Sequence, residues 1–386
     1  MTDFRKMLFV KVLYSSGFWL PTMVLYLNSR GISTPETLFL LGMYYIVAIA
    51  LEYPTGVIGD LYSHRVAIAS GYALLVAGFL LLAFPISTIG LTYFIAGFLF
   101  IALGDSLVSG SDTALLHDVS PDFSKDYPTV QVSSQSAMFV ALSIGGLSAT
   151  IDLRLPLLLS ALAQAGACLF ALSISFRRDS GEYSSNALGI ALAGLSSVRK
   201  SRLLTSLLAI SFVVGSFFYS LKWLYNDLFR LIGLPLGWWG IVPGIATLFA
   251  AFGAIVYRRW PKLPLTVAFL ILVIAVPLIG FTSVPMLSVS AIFVGFLFRG
   301  YFDSRIMVSI NHAVSSSVRA SILSLGSFSQ RLGASAYMFV GSLVIGSITL
   351  PTFLGFAGLF MAVAGLSPLL FVNRLQNRPD VTVENG

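Results

Sequence analysis

The chain has 386 residues, 57% of them hydrophobic and 10% charged, with a mean hydropathy of +0.90. A soluble domain carries about 25% charged residues, so a soluble globular protein is excluded. The net charge of +7 would suit a nucleic-acid binder. Its distribution argues otherwise: the basic residues stand at alternate ends of apolar runs, as the positive-inside bias requires, and no nucleic-acid partner is expected.

Apolar runs of about 20 residues, the length a bilayer demands of a helix, recur along the whole chain. Backbone groups in hydrocarbon must bond internally, so these runs are predicted helices. The fold class is an all-α polytopic membrane protein. Hydropathy predicts about 12 spans, near 7–28, 38–59, 66–86, 90–116, 128–150, 155–175, 203–225, 237–257, 264–282, 286–310, 321–346 and 351–372. The first run follows Phe4-Arg5-Lys6 without a small-residue cleavage site, so no cleavable signal peptide is expected. Arg5, Lys6, Arg65, Lys125, Arg177, Arg178, Arg199, Lys200, Arg202, Arg258, Arg259, Lys262, Arg319, Arg374 and Arg378 fall on one side, against Arg30, Arg154 and Arg230 on the other. That asymmetry places both termini in the cytoplasm. A bacterial inner (plasma) membrane is the expected location.

The long polar stretch 176–202 divides the chain and reads as a cytoplasmic linker, with a short surface helix or as a plain tether. The expected organisation is a six-span half over 1–175, the linker, a second half over 203–373 and a tail over 374–386. Faint internal echoes support a duplication. His117-Asp-Val-Ser returns as His312-Ala-Val-Ser, Tyr14-Ser-Ser-Gly-Phe-Trp19 as Tyr219-Ser-Leu-Lys-Trp223, and Gly56-Val-Ile-Gly-Asp60 as Gly253-Ala-Ile-Val-Tyr257. The single cysteine, Cys168, cannot form an intrachain disulfide. The three histidines lack metal-ligand spacing, and no metal or cofactor is expected.

Between the second and third spans stands Gly56-Val-Ile-Gly-Asp60-Leu-Tyr-Ser-His64-Arg65. It resembles the loop signature of the major facilitator superfamily, Gly-x-Leu-Ala-Asp-Arg-x-Gly-Arg-Lys. Gly56, Gly59 and Asp60 match, and Arg65 supplies the terminal cation. Ser63 replaces a glycine and His64 an arginine. The resemblance implies two pseudo-symmetric six-helix halves, an arrangement known for such transporters. It makes Asp60 a latch at a helix N-terminus, favoured there by orphan amides and the helix dipole, with His64 read as weakening the latch or making it pH-sensitive. Asp112 would join the same cytoplasmic gate. A turn aspartate reaching water is the plainer reading of Asp60. In the fifth span, Ala141-Leu-Ser-Ile-Gly145-Gly146-Leu-Ser-Ala149 resembles the family's antiporter motif, with Gly146 where its proline belongs.

Interior charges mark candidate proton or substrate sites, because ionisable groups at membrane depth are expensive and usually functional. Glu52 is read as a proton site or a structural partner of a cation. Asp105 lies near the midplane and shares a helical face with Asp112. It is read as a proton or substrate contact, or as an ion-pair partner of Arg299 or Lys222. Arg299 and Asp303 are spaced for an i,i+4 pair. Arg299 either binds an anionic substrate group or neutralises a carboxylate. Arg331 is a further mid-membrane cation. Trp19 and Trp223 are candidate cavity-lining residues, although tryptophans near span ends are commonly interface anchors.

The function expected from the resemblance is secondary transport. A monomer would couple protons to the export of a small organic molecule, as the family's efflux antiporters do. Uptake by symport, lipid flipping and a non-transporting membrane receptor are the alternatives. No enzyme activity is expected, and no Gly-Lys dipeptide exists to build an ATP-binding phosphate loop.

Overall fold

The computed structural model describes residues 1–61, 63–85, 90–175, 196–281, 283–314 and 316–376. The side chains of 53, 56–61, 110, 124, 312, 316–321, 373, 375 and 376 are outside that description. The helices run in the order α1 Asp3–Tyr14, α2 Met23–Ser29, α3 Thr34–Leu61, α4 His64–Ala83, α5 Leu91–Val119, α6 Phe123–Ser148 and α7 Leu155–Ser173. They continue as α8 Arg202–Leu231, α9 Trp238–Arg259, α10 Leu265–Ile279, α11 Pro285–Ala313, α12 Ser316–Val344 and α13 Leu350–Gln376. No strand is assigned among the described residues.

The chain is all-helical, as its composition demands. Among the described helices nine are long and apolar enough to cross a membrane. The remaining expected spans depart from that standard for visible reasons. Helix α10 has only 15 residues, about 22 Å of rise. Helix α12 is continuous, but Gln330-Arg331 and scattered serines interrupt its apolar sequence. Helix starts carry local signals. At α3 the backbone N–H of Ser33 donates to Glu36 Oε2 (2.8 Å) and the N–H of Glu36 to Ser33 Oγ (3.4 Å), a reciprocal capping box. Asp122 accepts from the N–H of Lys125 at the start of α6.

The first expected span, 7–28, is not one helix but two. Ser15-Ser-Gly-Phe-Trp-Leu-Pro-Thr22 separates α1 from α2. Pro21 has no amide to donate, and the serines compete for backbone partners. Breaks at membrane depth persist only where other protein groups satisfy the freed backbone. Here α7 supplies them. The N–H of Trp19 donates to Ser160 Oγ (3.2 Å) and Gln164 Nε2 donates to the Tyr14 carbonyl (3.5 Å). Ser160 and Gln164 are both buried. Gly145 lets α6 close on the break: a Cβ there would lie 2.0 Å from the Phe18 carbonyl oxygen.

The chain divides into two compact units. The first takes Met1–Tyr183, Lys222–Ile245 and Met338–Val344; the second takes Ser184–Leu221, Ala246–Tyr337 and Ile345–Gly386. Helices α8, α9 and α12 therefore each contribute residues to both units. In the first unit α4 packs between α5 and α7, and α3 lies on α5. In the second, α10 packs on α11 and α13. There α9 approaches α11 at backbone distance. A Cβ on Gly253 would meet the Leu297 carbonyl oxygen at 1.9 Å, and one on Gly300 the Ala250 carbonyl oxygen at 1.9 Å. The α9–α10 connection is tied to α11 by Tyr301 Oη donating to the Leu263 carbonyl (2.9 Å) and by Arg305 Nη1 donating to the same oxygen (3.1 Å). Tyr301 and Arg305 flank Asp303 by two residues on the same helix.

The linker stretch 176–195 and the tail 377–386 lie outside the described residues, and with them the expected surface helix.

Candidate functional site

Helix α5 carries a polar stripe through the first unit. Asp105, Ser109 and Asp112 recur at i, i+4 and i+7 and so share one face. At the level of Asp105 the Tyr14 hydroxyl donates to Oδ1 (3.2 Å) and the Tyr44 hydroxyl to Oδ2. One turn on, Ser109 Oγ donates to Glu52 Oε1 (3.1 Å). At Asp112, Lys11 Nζ forms a salt bridge with Oδ2 while Oδ1 accepts from Thr113 Oγ1 (2.9 Å). Helix α1 thus gives Tyr14 and Lys11, and α3 gives Tyr44 and Glu52. The Thr55 hydroxyl adds a bond from α3 to the Ser106 carbonyl at 2.9 Å.

Asp105 is only half-buried, whereas Asp112 is 4% exposed. The stripe grades from a reachable carboxylate to a sealed ion pair. Tyr72, fully buried, sets its ring 5.8 Å from that of Tyr14 at a tilt of 55°, and its hydroxyl has no partner.

Beside Asp105 begins an aromatic cluster of the same unit. Tyr44 packs on Tyr45 at 5.2 Å between centroids. The Tyr45 hydroxyl accepts from Trp223 Nε1 (3.0 Å), and Trp223 lies 5.2 Å from Trp19. Lys222 Nζ stands over both Tyr45 (5.7 Å) and Trp223 (4.9 Å), an arrangement that stabilises an ammonium. Trp19 and Trp223, read as cavity-lining candidates, are buried in this cluster at 9% and 1% exposure.

The second unit holds its own polar constellation. Arg299 is buried on α11. Its Nε bonds Asp303 Oδ2 at 2.5 Å, the i,i+4 pair that the spacing predicts. Its Nη2 donates to Gln330 Oε1 at 3.4 Å, and Gln330 Nε2 donates to Ser211 Oγ at 2.7 Å. The guanidinium carbon lies 5.6 Å from the Phe218 ring centre. Arg331 follows Gln330 on α12 and is half-buried.

The loop residues are placed only in part. His64 is buried at the start of α4, and Arg65 Nη1 donates to the Ile174 carbonyl (2.8 Å) at the C-terminus of α7, where a cation is favoured. The side chains of Gly56, Gly59 and Asp60 lie outside the described residues. Sequence reading gave no role to Lys11, Tyr14, Tyr44, Gln330 or Ser211. Lys11 carried a usable signal, since it is a cation inside the first apolar run. The hydroxyls and amides carried none, because such residues are common in membrane helices.

The profile of the Major Facilitator Superfamily matches residues 7–334. No curated protein matches the chain. Among solved structures, the chain resembles the nucleoside transporter NupG, with a TM-score of 0.75 at 14% identity, covering 98% of this chain and 100% of that one. It also resembles a bacterial homolog of the human lysosomal transporter Spinster in an inward-facing, unoccupied conformation, with a TM-score of 0.78 at 13% identity over 97% and 98% of the two chains. A D-xylose-proton symporter matches with a TM-score of 0.75 at 12% identity, over 96% and 95%. At these identities the likeness is one of fold.

Proposed function

This chain belongs to the major facilitator superfamily, and we propose that it is a proton-coupled secondary transporter that exports a small organic molecule by alternating access. The observation that carries the coupling is Asp105, half-buried at membrane depth and held by the hydroxyls of Tyr14 and Tyr44. A carboxylate that gains or loses hydrogen-bond donors between two access states has a different proton affinity in each. That difference is what coupling requires, since a ligand shifts an equilibrium only by its differential affinity for the two states. Tyr14 and Tyr44 come from separate helices, α1 and α3, so relative movement of those helices alters the donor set.

The sealed pair Lys11–Asp112 serves this reading as the fixed end of the stripe. The latch at Asp60 and Arg65, and cytoplasmic termini, complete the proposal. Export rests on the resemblance of the chain to drug-efflux members of the family.

The test is flux in proteoliposomes holding the purified chain, with an imposed pH gradient and a panel of labelled amphiphiles, anions and sugars. Asp105→Asn should abolish gradient-driven accumulation while sparing counterflow, which needs no net proton movement. Accumulation that survives in Asp105→Asn removes Asp105 as the carrier and turns attention to Glu52. The sign of the gradient that drives flux separates export from uptake.

A further inference from the structure

The second unit contains an account of hydrogen bonds that does not close. A guanidinium has five N–H donors. In Arg299 the Nε donor is taken by Asp303, and Nη2 reaches Gln330 at a long 3.4 Å. Nη1 is buried and has no acceptor at all. A buried, unfilled donor on a charged group is costly, more so at membrane depth. The Phe218 ring over the guanidinium offsets part of that cost but accepts no N–H bond of ordinary strength.

Asp303 shows the complementary property. Its side chain is 44% exposed although Arg299 beside it is 10% exposed. Asp303 lies ten residues before the end of α11, about 15 Å along the helix. A charged carboxylate facing lipid is costly, so the exposed side of Asp303 is assigned to water. The pair therefore offers an unfilled cationic donor on one side and an open anionic acceptor on the other.

Charge accounting restricts what fits there. The Arg299–Asp303 pair is neutral. A simple anion on Nη1 would leave an uncompensated negative charge beside Asp303. A simple cation on Asp303 would leave Nη1 unfilled. A molecule carrying both charges satisfies both groups and leaves the site neutral. The Gln330 amide, fixed by its 2.7 Å bond to Ser211, keeps its carbonyl towards Arg299 and so aims the guanidinium.

We propose that Arg299 and Asp303 form the docking site for a small zwitterionic solute, its carboxylate on the Nη1 edge of Arg299 and its ammonium on the open side of Asp303. Nη1 is buried in this state, so the carboxylate reaches it only when the side chains around the guanidinium move aside. This names the substrate class of the transporter proposed above and rests on that reading only for the claim that the bound solute is carried.

The test uses the detergent-purified full chain and a panel of free α- and ω-amino acids. Each amino acid is accompanied by its amide, which is a cation, and its N-acetyl derivative, which is an anion. Binding is read as thermal stabilisation over a concentration series, and transport as counterflow in proteoliposomes. At least one zwitterion should bind about tenfold or more tightly than both of its capped forms, since each capping removes a charge-assisted contact. Asp303→Asn should bring the N-acetyl form level with the zwitterion. Arg299→Gln should bring the amide level instead.

Capped forms that match every zwitterion, or a panel in which no zwitterion stabilises the protein, overturn the proposal. If Arg299→Gln does not fold, Asp303→Asn and the order of the three forms on the native chain decide. Zwitterion binding that responds to these substitutions without any counterflow upholds the site and removes the transport reading. Counterflow of an uncharged solute that is indifferent to both substitutions does the reverse.

Discussion

Lys11 and Asp112 stand 101 residues apart in sequence and meet as a salt bridge between α1 and α5, with side chains 16% and 6% exposed. Either charge left alone there would be costly, so each makes the other tolerable. The bridge sits three residues below Tyr14 on α1 and seven below Asp105 on α5. The same two helices bring the Tyr14 hydroxyl to Asp105 at 3.2 Å.

Removing one partner should be far worse than removing both. Lys11→Met leaves a buried carboxylate without its cation, and loss of one member of a buried pair costs about 3–5 kcal/mol. The Lys11→Met, Asp112→Leu double variant should recover most of that stability, read as the unfolding midpoint of the purified protein. A double variant as unstable as Lys11→Met would show that the two side chains do not act on each other. If the pair sets register, the double variant should fold yet transport poorly.

The spans were legible because hydropathy over a window of about 20 residues is a bulk property of the bilayer's thickness. The same averaging hid the break at 15–22, where Phe18, Trp19 and Leu20 keep the window apolar while Ser15, Ser16, Gly17 and Pro21 end the helix. Arg299–Asp303 was legible because i,i+4 spacing is a local rule. The partner of Asp112 was not, because no local rule links α1 to α5. The donors on Asp105 escaped for the same reason. Tyr14 and Tyr44 are ordinary residues of apolar helices until the packing turns their hydroxyls onto one carboxylate.

The break in the first span gives a second prediction. Gly145→Ala would place a Cβ 2.0 Å from the Phe18 carbonyl oxygen and 2.9 Å from its carbon. Both are backbone atoms, so no side-chain rotation relieves the clash, and overpacking of this kind costs about 1–3 kcal/mol. Gly355→Ala on α13 is the control, because a Cβ there meets nothing within 4 Å and alanine favours a helix by up to about 1 kcal/mol. The unfolding midpoint should fall for the first substitution and hold or rise for the second. Equal midpoints would mean that α6 does not close on the break.

Tyr44 tests whether the donors on Asp105 matter for coupling or only for packing. Tyr44→Phe removes one hydroxyl and leaves the ring, which packs on Tyr45 at 5.2 Å and on Phe98 at 6.5 Å. Tyr14 still donates to the other carboxylate oxygen at 3.2 Å. Loss of a single hydrogen bond to a charged group costs about 1.5–3 kcal/mol, which is enough to change the proton affinity of the carboxylate in whichever access state makes that bond. Gradient-driven accumulation should therefore fall by about tenfold or more, while counterflow at fixed pH stays near the native rate. Tyr14→Phe should act in the same direction. If both variants accumulate solute as the native chain does, the hydroxyls serve packing alone, and the proton carrier must be sought at Glu52, one turn further along the stripe on α5 through its bond from Ser109.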